Sequence, residues 1–174
     1  MVLGFFDECS PQTTANTQRL WSFGKPKIRK NTTKIRANTF GFYPLNGNSV
    51  IDFKENSKKE SVCEFFELIG EKNPGKDIIL ILDNFRSHWA KKTRQQAEDL
   101  GITLVFLPPY SPDLNPIEYI WKSVKRGLSP LLIESADHLK SSVNVLFTKL
   151  SEKLSFAKRW IEKIIPIKYN KLCH

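Results

Sequence analysis

The chain has 174 residues, which is enough for one domain to bury a core without disulfides or a structural metal. Lysine and arginine number 27 against 18 acidic residues, and the formal net charge of +9 favours a polyanionic partner over a neutral metabolite. Nucleic acid is the first candidate and an acidic membrane surface the second. No apolar run approaches the ~20 residues of a membrane span, which weakens the membrane interpretation.

The cysteines Cys9, Cys63 and Cys173 are odd in number and form no CxxC pair. This pattern predicts neither a disulfide framework nor a zinc site, and it is typical of a reduced intracellular protein. The opening residues MVLGFF are too short for a secretory signal peptide. We therefore expect a protein of the cytoplasm that does not contact a membrane.

The first third of the chain predicts three strands. The apolar run Val2–Phe6 predicts a buried strand that ends at Asp7 and Glu8, and strand geometry turns these two side chains to opposite faces. Residues 38–53 predict two further strands that turn at the Asn-Gly pair, residues 46–47.

Helices and strands alternate in the rest of the chain. Ser57 and Glu60 predict a capping box at the start of a helix, and Ile78–Leu82 predicts a fully apolar strand. A second helix over residues 89–100 closes at Gly101. The remaining predicted elements are a fifth strand at 103–107 and helices at 116–125, along the leucines of 139–154, and at 156–165.

The order of these elements predicts an α/β fold. Hairpin-connected strands come first, and strands separated by helices are added later, so the sheet should combine antiparallel and parallel pairs. The chain shows no internal repeat, linker or low-complexity segment. We expect a single domain spanning residues 1–174.

Three acidic residues stand at positions where catalytic groups collect in α/β sheets. Asp7 ends the first strand, Asp83 ends the fourth, and Glu118 opens the helix after the fifth. Three neighbouring carboxylates repel one another unless a cation neutralises them, and oxygen-only ligands suit Mg²⁺ or Mn²⁺. Two such ions, roughly 3.5 to 4 Å apart, support in-line attack on a phosphodiester.

Three sequence blocks carry a family resemblance: FFDE, ILDNFRSH and LPPYSPDLNPIEYIWKSVK. Together they resemble the catalytic (DDE) domain of the mariner superfamily of transposases, in its prokaryotic insertion-sequence branch. The 34 residues between Asp83 and Glu118 match the spacing of that superfamily's last two acids. The resemblance runs from about Val2 to Tyr169.

The resemblance implies a ribonuclease-H-like fold of the retroviral-integrase superfamily, with a mixed five-stranded sheet flanked by helices. It implies that Asp7, Asp83 and Glu118 are catalytic residues that bind two Mg²⁺ or Mn²⁺ ions, with Asp7 contacting both. The implied activity is metal-dependent hydrolysis of DNA phosphodiesters at element ends, followed by 3′-hydroxyl strand transfer into target DNA. The implied partners are double-stranded DNA and a second copy of the chain, in the nucleoid of a prokaryote.

Several site residues have a structural alternative. Glu8 is an alternative ligand to Asp7, while Asn84 and His88 are candidate accessory residues that could equally close a turn or stabilise a helix start. Glu118 could close a capping box headed by Asn115, in which case its carboxylate would have fewer lone pairs for a metal. The prolines around this segment predict a restrained backbone before the helix.

Basic residues predict two DNA-binding regions. Residues 19–36 contain seven basic side chains and no acid, with Trp21 and Phe23 among them, and they predict a hairpin that contacts DNA. Lys122 and Lys125 lie on the same helix face as Glu118. The seven basic residues of the predicted hairpin are Arg19, Lys25, Lys27, Arg29, Lys30, Lys34 and Arg36.

Two other functions remain open. Members of the family normally carry helix-turn-helix segments before this domain, whereas here Asp7 is almost at Met1. We expect that region to be absent, and recognition to come from a separately encoded helix-turn-helix protein. The alternatives are a truncated, non-catalytic DNA-binding regulator of a full transposase, and a structure-selective nuclease of the same fold.

Overall fold

The computed structural model describes residues 1–14, 23–24, 31–109 and 111–165. The strands are β1 (Val2–Cys9), β2 (Thr39–Pro44), β3 (Val50–Phe53), β4 (Ile78–Leu82) and β5 (Ile102–Phe106). The helices are α1 (Lys59–Lys72), α2 (Lys91–Asp99), α3 (Ile117–Leu128), α4 (Ala136–Ser151) and α5 (Lys158–Ile164). A short 3₁₀ turn, Pro112–Leu114, precedes α3. In the part of the chain that is described, no helix is long and apolar enough to cross a membrane.

The five strands form one mixed sheet in the order β3-β2-β1-β4-β5. β1 pairs antiparallel with β2, and β2 pairs antiparallel with β3 across the short connection of residues 45–49. β4 and β5 add in parallel on the other side of β1, since the helices α1 and α2 supply the crossovers. The predicted mixture of antiparallel and parallel pairs is confirmed.

Both faces of the sheet are covered by helices, and side chains alternate along β1 between the two cores. Phe5 belongs to the core that α3 and α4 build, together with Trp121 and Phe147. Phe6 belongs to the opposite core, where Phe65 and Phe66 of α1 surround its ring. A sheet that is buried on both faces exposes its functional side chains mainly at the strand ends.

A glycine on β2 sets how closely α3 approaches the sheet. Gly41 pairs with Asp7 across the strands, and the ring of Trp121 lies against its backbone. A Cβ atom at Gly41 would lie 2.5 Å from Trp121 and 2.9 Å from Phe147. The missing side chain therefore lets α3, which carries Glu118, pack directly over the strand pair that carries Asp7.

Some boundaries differ from the sequence prediction. The capping box at Ser57 and Glu60 is wrong, because α1 begins after Lys58 and has no side-chain cap; Asn56 Oδ1 accepts from the Lys58 N–H instead. Trp89 precedes α2 and lies against Phe106 with ring centroids 4.0 Å apart. The closure at Gly101 is confirmed by its positive φ of 68°.

Candidate active site

The three predicted acids meet at one cavity. It has a volume of about 410 Å³ and lies where β1, β4 and β5 end and the segment leading into α3 begins. Asp7, Asp83 and Glu118 all line it, together with Phe85 and the proline-rich segment after β5. The fold therefore brings together three side chains that are far apart in the sequence.

Sheet register explains the pairing of Asp7 with Asp83. β1 and β4 run parallel with Phe5 opposite Ile81, so Asp7 and Asp83 come two residues later at the same edge of the sheet. Because strand side chains alternate, Asp7 lies on the α3 side of β1, the side that Phe5 occupies.

Glu8 faces the opposite side of the sheet, as predicted. Its Oε1 lies 3.3 Å from His88 Nε2, and the His88 ring packs against Phe6 with ring centroids 5.2 Å apart. The cavity is not lined by Glu8. The geometry thus favours Asp7 over Glu8 as a ligand.

His88 joins Glu8 to Asp83. Its Nδ1 lies 2.9 Å from Asp83 Oδ1, which also accepts from the Phe85 N–H at 3.0 Å. Burial alone would lower the pKa of His88, but the hydrogen bonds to Asp83 and Glu8 raise it to about 9. The hydrogen bond from His88 in turn holds the pKa of Asp83 below its ordinary value. A protonated imidazole therefore bridges two carboxylates and fixes the orientation of Asp83.

Asp7 and Glu118 experience the opposite electrostatic environment. Burial, followed by the negative charges of Glu118 and Asp83, raises the pKa of Asp7 well above its ordinary value. Burial also raises the pKa of Glu118, although the ammonium group of Lys125 opposes the shift. Like charges in a partly desolvated cavity disfavour one another, and a cation would relieve both effects.

Glu118 does not close a capping box. The Asn115 N–H donates to Pro112 O at 3.0 Å, and the buried Asn115 Oδ1 has no hydrogen-bond partner among the described residues. The 3₁₀ turn that begins at Pro112 brings the chain into α3, and Glu118 lies in the first turn of that helix. The capping alternative is therefore wrong, and the Glu118 carboxylate lines the cavity.

The family model described as "DDE superfamily endonuclease" matches residues 2–140. The chain belongs to this family. The match includes all three acids, all five strands and the helices α1 to α3.

Relatives of this DDE domain include a transposase. The "Transposable element Tc1 transposase" of Caenorhabditis elegans is 32% identical over 65 residues, which are 37% of this chain and 24% of that protein. The uncharacterized protein y4pE/y4sA of Sinorhizobium fredii (strain NBRC 101917 / NGR234) is 31% identical over 96 residues, 54% of this chain and 69% of the relative.

Solved structures confirm the ribonuclease-H-like, integrase-type fold of the DDE domain. The Mos1 transposase paired-end complex with left transposon end has a TM-score of 0.70 at 19% identity, covering 98% of this chain and 54% of that one. The mariner Mos1 paired-end complex with Mg has a TM-score of 0.69 at 20% identity, covering 99% and 54%. The chain thus spans about half the length of these transposase chains.

The donor set of the DDE domain suits a hard divalent cation. Within residues 1–14, 23–24, 31–109 and 111–165, no three His, Cys, Asp or Glu side chains already form a metal-holding cluster. The three cavity acids nevertheless offer only oxygen ligands, as Mg²⁺ and Mn²⁺ prefer. The pKa values of Asp7 and Glu118 are raised first by burial and further by neighbouring carboxylates, and a cation would offset both causes. The residues present therefore fit such an ion.

Asn84 has a structural contact on each side of its amide. Its Nδ2 donates to Leu107 O, at the end of β5, and its Oδ1 accepts from Trp89 Nε1 at 2.9 Å. These contacts join the ends of β4 and β5 at the wall of the cavity, which both Asn84 and Leu107 line. They support the alternative in which Asn84 closes the turn after Asp83.

The basic residues of the DDE domain fall into two groups. Lys122 and Lys125 line a second cavity of about 330 Å³, which shares Glu118 with the first. Lys34 and Arg36 are exposed, and Gln12 forms an antiparallel bridge with Arg36 beyond the end of β1. Arg19, Lys25, Lys27, Arg29 and Lys30 lie outside the described residues.

Neither described cysteine of the DDE domain is set up as a nucleophile. Burial raises the pKa of the Cys9 thiol to about 11 even though Lys125 opposes the shift. Burial likewise raises the pKa of Cys63. Thiols that stay protonated at neutral pH are poor nucleophiles and poor metal ligands.

Proposed function

We propose that this chain is the catalytic domain of a transposase that hydrolyses DNA phosphodiesters at element ends and transfers the freed 3′-hydroxyl to target DNA. The convergence of Asp7, Asp83 and Glu118 on one cavity carries the proposal. Its family is one of endonucleases, and its fold is that of the Mos1 catalytic domain. The relatives named as transposases support the choice of substrate.

Each acid has a distinct role in the proposal. Asp7 would hold both of the expected Mg²⁺ or Mn²⁺ ions, while Asp83 and Glu118 would each complete one site. When bound, these ions would activate the attacking oxygen and stabilise the leaving oxygen. His88 and the Phe85 N–H hold the Asp83 carboxylate in one orientation, and α3 presents Glu118 from the opposite wall.

The chain's basic residues bind the DNA backbone. Lys122 and Lys125 contact phosphates beside Glu118 in this proposal, which is supported by their position in the lining of the adjoining cavity. The basic residues within 19–36, which follow β1 in the chain, contact the duplex farther from the cut. Neither group carries the side-chain pattern for reading bases, so terminal-repeat recognition comes from a helix-turn-helix segment outside the 174 residues or from a separate protein.

A cleavage assay tests the proposal. The purified domain is incubated with labelled duplex DNA and Mn²⁺ or Mg²⁺, beside Asp83→Asn and Glu118→Gln. Asp77→Asn, at the opposite end of the sheet, serves as the matched control. We expect metal-dependent nicking or strand transfer in the wild type and in Asp77→Asn, and none in the two site variants.

Other outcomes identify the alternative functions. DNA binding without cleavage, unchanged in Asp83→Asn and Glu118→Gln, would show a non-catalytic regulator. Cleavage confined to an RNA–DNA hybrid or a branched substrate would show a structure-selective nuclease.

Pairing of two element ends requires two active sites, so we also expect a homodimer on DNA. Light scattering of the protein–DNA complex measures its mass and hence the number of chains.

A further inference from the structure

Asn115 contacts the segments that carry two of the three acids. We propose that Asn115 is a positioning residue that sets the separation between Asp7 and Glu118, and that its free side-chain oxygen accepts a hydrogen bond from a water or hydroxyl group in the cavity. This inference rests on the proposed function, because it assigns a role within the same site. Three observations carry it.

The first observation is the hydrogen bonding of Asn115. Its Nδ2 donates to the carbonyl oxygen of Phe6, the residue before Asp7, at 3.4 Å. Its own carbonyl accepts from the Glu118 N–H at 3.1 Å, and its N–H donates to Pro112 O at 3.0 Å. A single residue therefore connects the strand of Asp7, the proline-rich turn and the helix of Glu118.

The second observation is the buried, unpartnered acceptor. Asn115 is 3% exposed and lines the cavity, yet no described residue donates to its Oδ1. Rotating the amide by 180° would place two acceptors, Oδ1 and Phe6 O, against each other. The orientation is therefore determined by the Phe6 contact, and Oδ1 is the group left for a ligand. Buried polar atoms without a partner commonly bind water or an ion.

The third observation is a contrast with Asn73, an equally buried asparagine at the opposite end of the sheet. Asn73 is 1% exposed, and its Oδ1 accepts from the Asn48 N–H at 2.8 Å. Its Nδ2 donates to Asn48 O and to Ile69 O, both at 3.1 Å. The buried acceptor of Asn73 is thus satisfied within the fold, whereas that of Asn115 is left open among the described residues.

The experiment compares Asn115→Ala and Asn115→Leu with Asn73→Ala and Asn73→Leu in the otherwise unchanged 174-residue chain. Leucine can clash with neighbouring atoms at either position, whereas alanine leaves space that solvent can fill. We therefore expect at least the two alanine variants to fold, and circular dichroism measures whether each variant does. Mn²⁺ binding is measured from the EPR signal of free Mn²⁺. Amide hydrogen exchange, measured with EDTA present, follows residues 5–8 and 117–120 without any metal.

We expect Asn115→Ala to weaken Mn²⁺ binding by about tenfold or more, as loss of a group that orients ligands typically does. The same variant should speed amide exchange at residues 5–8 and 117–120 alone. Asn73→Ala should leave Mn²⁺ binding within about threefold of wild type, even when it lowers the melting temperature as much. Equal loss of Mn²⁺ binding in the two alanine variants, or unchanged binding in Asn115→Ala, would overturn the proposal.

The two measurements, Mn²⁺ binding and amide hydrogen exchange in EDTA, separate this inference from the proposed function. If the wild type binds no Mn²⁺ and cuts no DNA, the proposed function fails, and hydrogen exchange still decides the inference. Selective loosening of residues 5–8 and 117–120 in Asn115→Ala then supports the positioning role. An increase in amide exchange that is the same across the whole sheet of Asn115→Ala would overturn the positioning role.

Discussion

At the end of the sheet where β1 begins, the buried amide of Asn73 makes three hydrogen bonds, and Asn46 accepts from the Leu3 N–H and donates to Met1 O. At the end where β1 finishes, Asp7 has a raised pKa and Asn115 Oδ1 has no partner among the described residues. The same fold satisfies its polar groups at one end and leaves them in conflict at the other. Such conflicts are expected where function, and not stability, has determined the residues.

The largest expected effect comes from the His88 bridge, which stabilises the cavity end of the metal-free protein. Because the pKa of His88 is raised from an ordinary 6.5 to about 9, its stabilisation is complete below pH 6.5 and is lost as the pH rises through 9. In EDTA, the difference in unfolding free energy between wild type and His88→Gln should shrink by up to about 3 kcal/mol between pH 6 and pH 9.5.

Urea denaturation at several pH values measures this difference. His138→Gln, which changes an exposed histidine of α4, is the control and should keep the wild-type pH profile. A His88→Gln variant with the same pH dependence as wild type would show that the bridge between Glu8 and Asp83 does not form.

Removing the Asp7 charge should raise the melting temperature without metal, and Mn²⁺ should reverse the order of variant and wild type. The raised pKa of Asp7 means that its ionised form destabilises the folded chain, and that the cost is relieved as the pH falls toward 4. In EDTA at pH 7, Asp7→Asn should therefore melt higher than wild type, by roughly 2 to 4 °C per kcal/mol in a domain of this size. With Mn²⁺ at 100 times its Kd, wild type should gain about 2.7 kcal/mol, and the variant much less.

Differential scanning fluorimetry with EDTA or Mn²⁺ provides both measurements. Asp77→Asn, at the satisfied end of the sheet, should follow wild type under both conditions. An equal Mn²⁺ shift in Asp7→Asn and wild type would place the ion away from the cavity.

The smallest expected effect concerns the packing that brings α3 over β2. Gly41→Ala places a Cβ atom 2.5 Å from the Trp121 ring, and this overpacking should cost about 1 to 3 kcal/mol. Gly70→Ala, in α1, meets no atom within 4 Å and should stabilise the helix by about 0.5 to 1 kcal/mol. Urea denaturation of both variants measures the contrast, and a neutral Gly41→Ala would mean that α3 does not approach β2 so closely.

The sequence predicts the fold and the gathering of the acids well, because both depend on regular patterns. Apolar runs mark the strands, crossover helices make β4 and β5 parallel, and parallel strands deliver Asp7 and Asp83 to the same edge. The alternation of side chains also predicts correctly that Glu8 turns away from Asp7.

The role of Asn115 could not be predicted, because it depends on a contact between residues 109 positions apart. The local motif, an asparagine followed by proline and glutamate, indicates a helix cap, and tertiary packing overrides it. The same limit applies to Ser57, where the neighbouring Asn56 binds the helix start. The close approach of Trp121 to Gly41 likewise leaves no local signal beyond a glycine within a strand.

The parallel register of β1 and β4 has a consequence for how such an enzyme is produced in a cell. Asp7 lies on the cavity face only when Phe5 pairs with Ile81, and a slip of one residue would turn Asp7 toward the core of α1. A nascent chain lacks Glu118 until most of the domain has been synthesised. Under the proposed chemistry, an incomplete or misregistered chain would lack at least one of the three acids at the cavity and would not cut DNA. The cutting activity would therefore arise only after the domain has been fully synthesised and correctly folded.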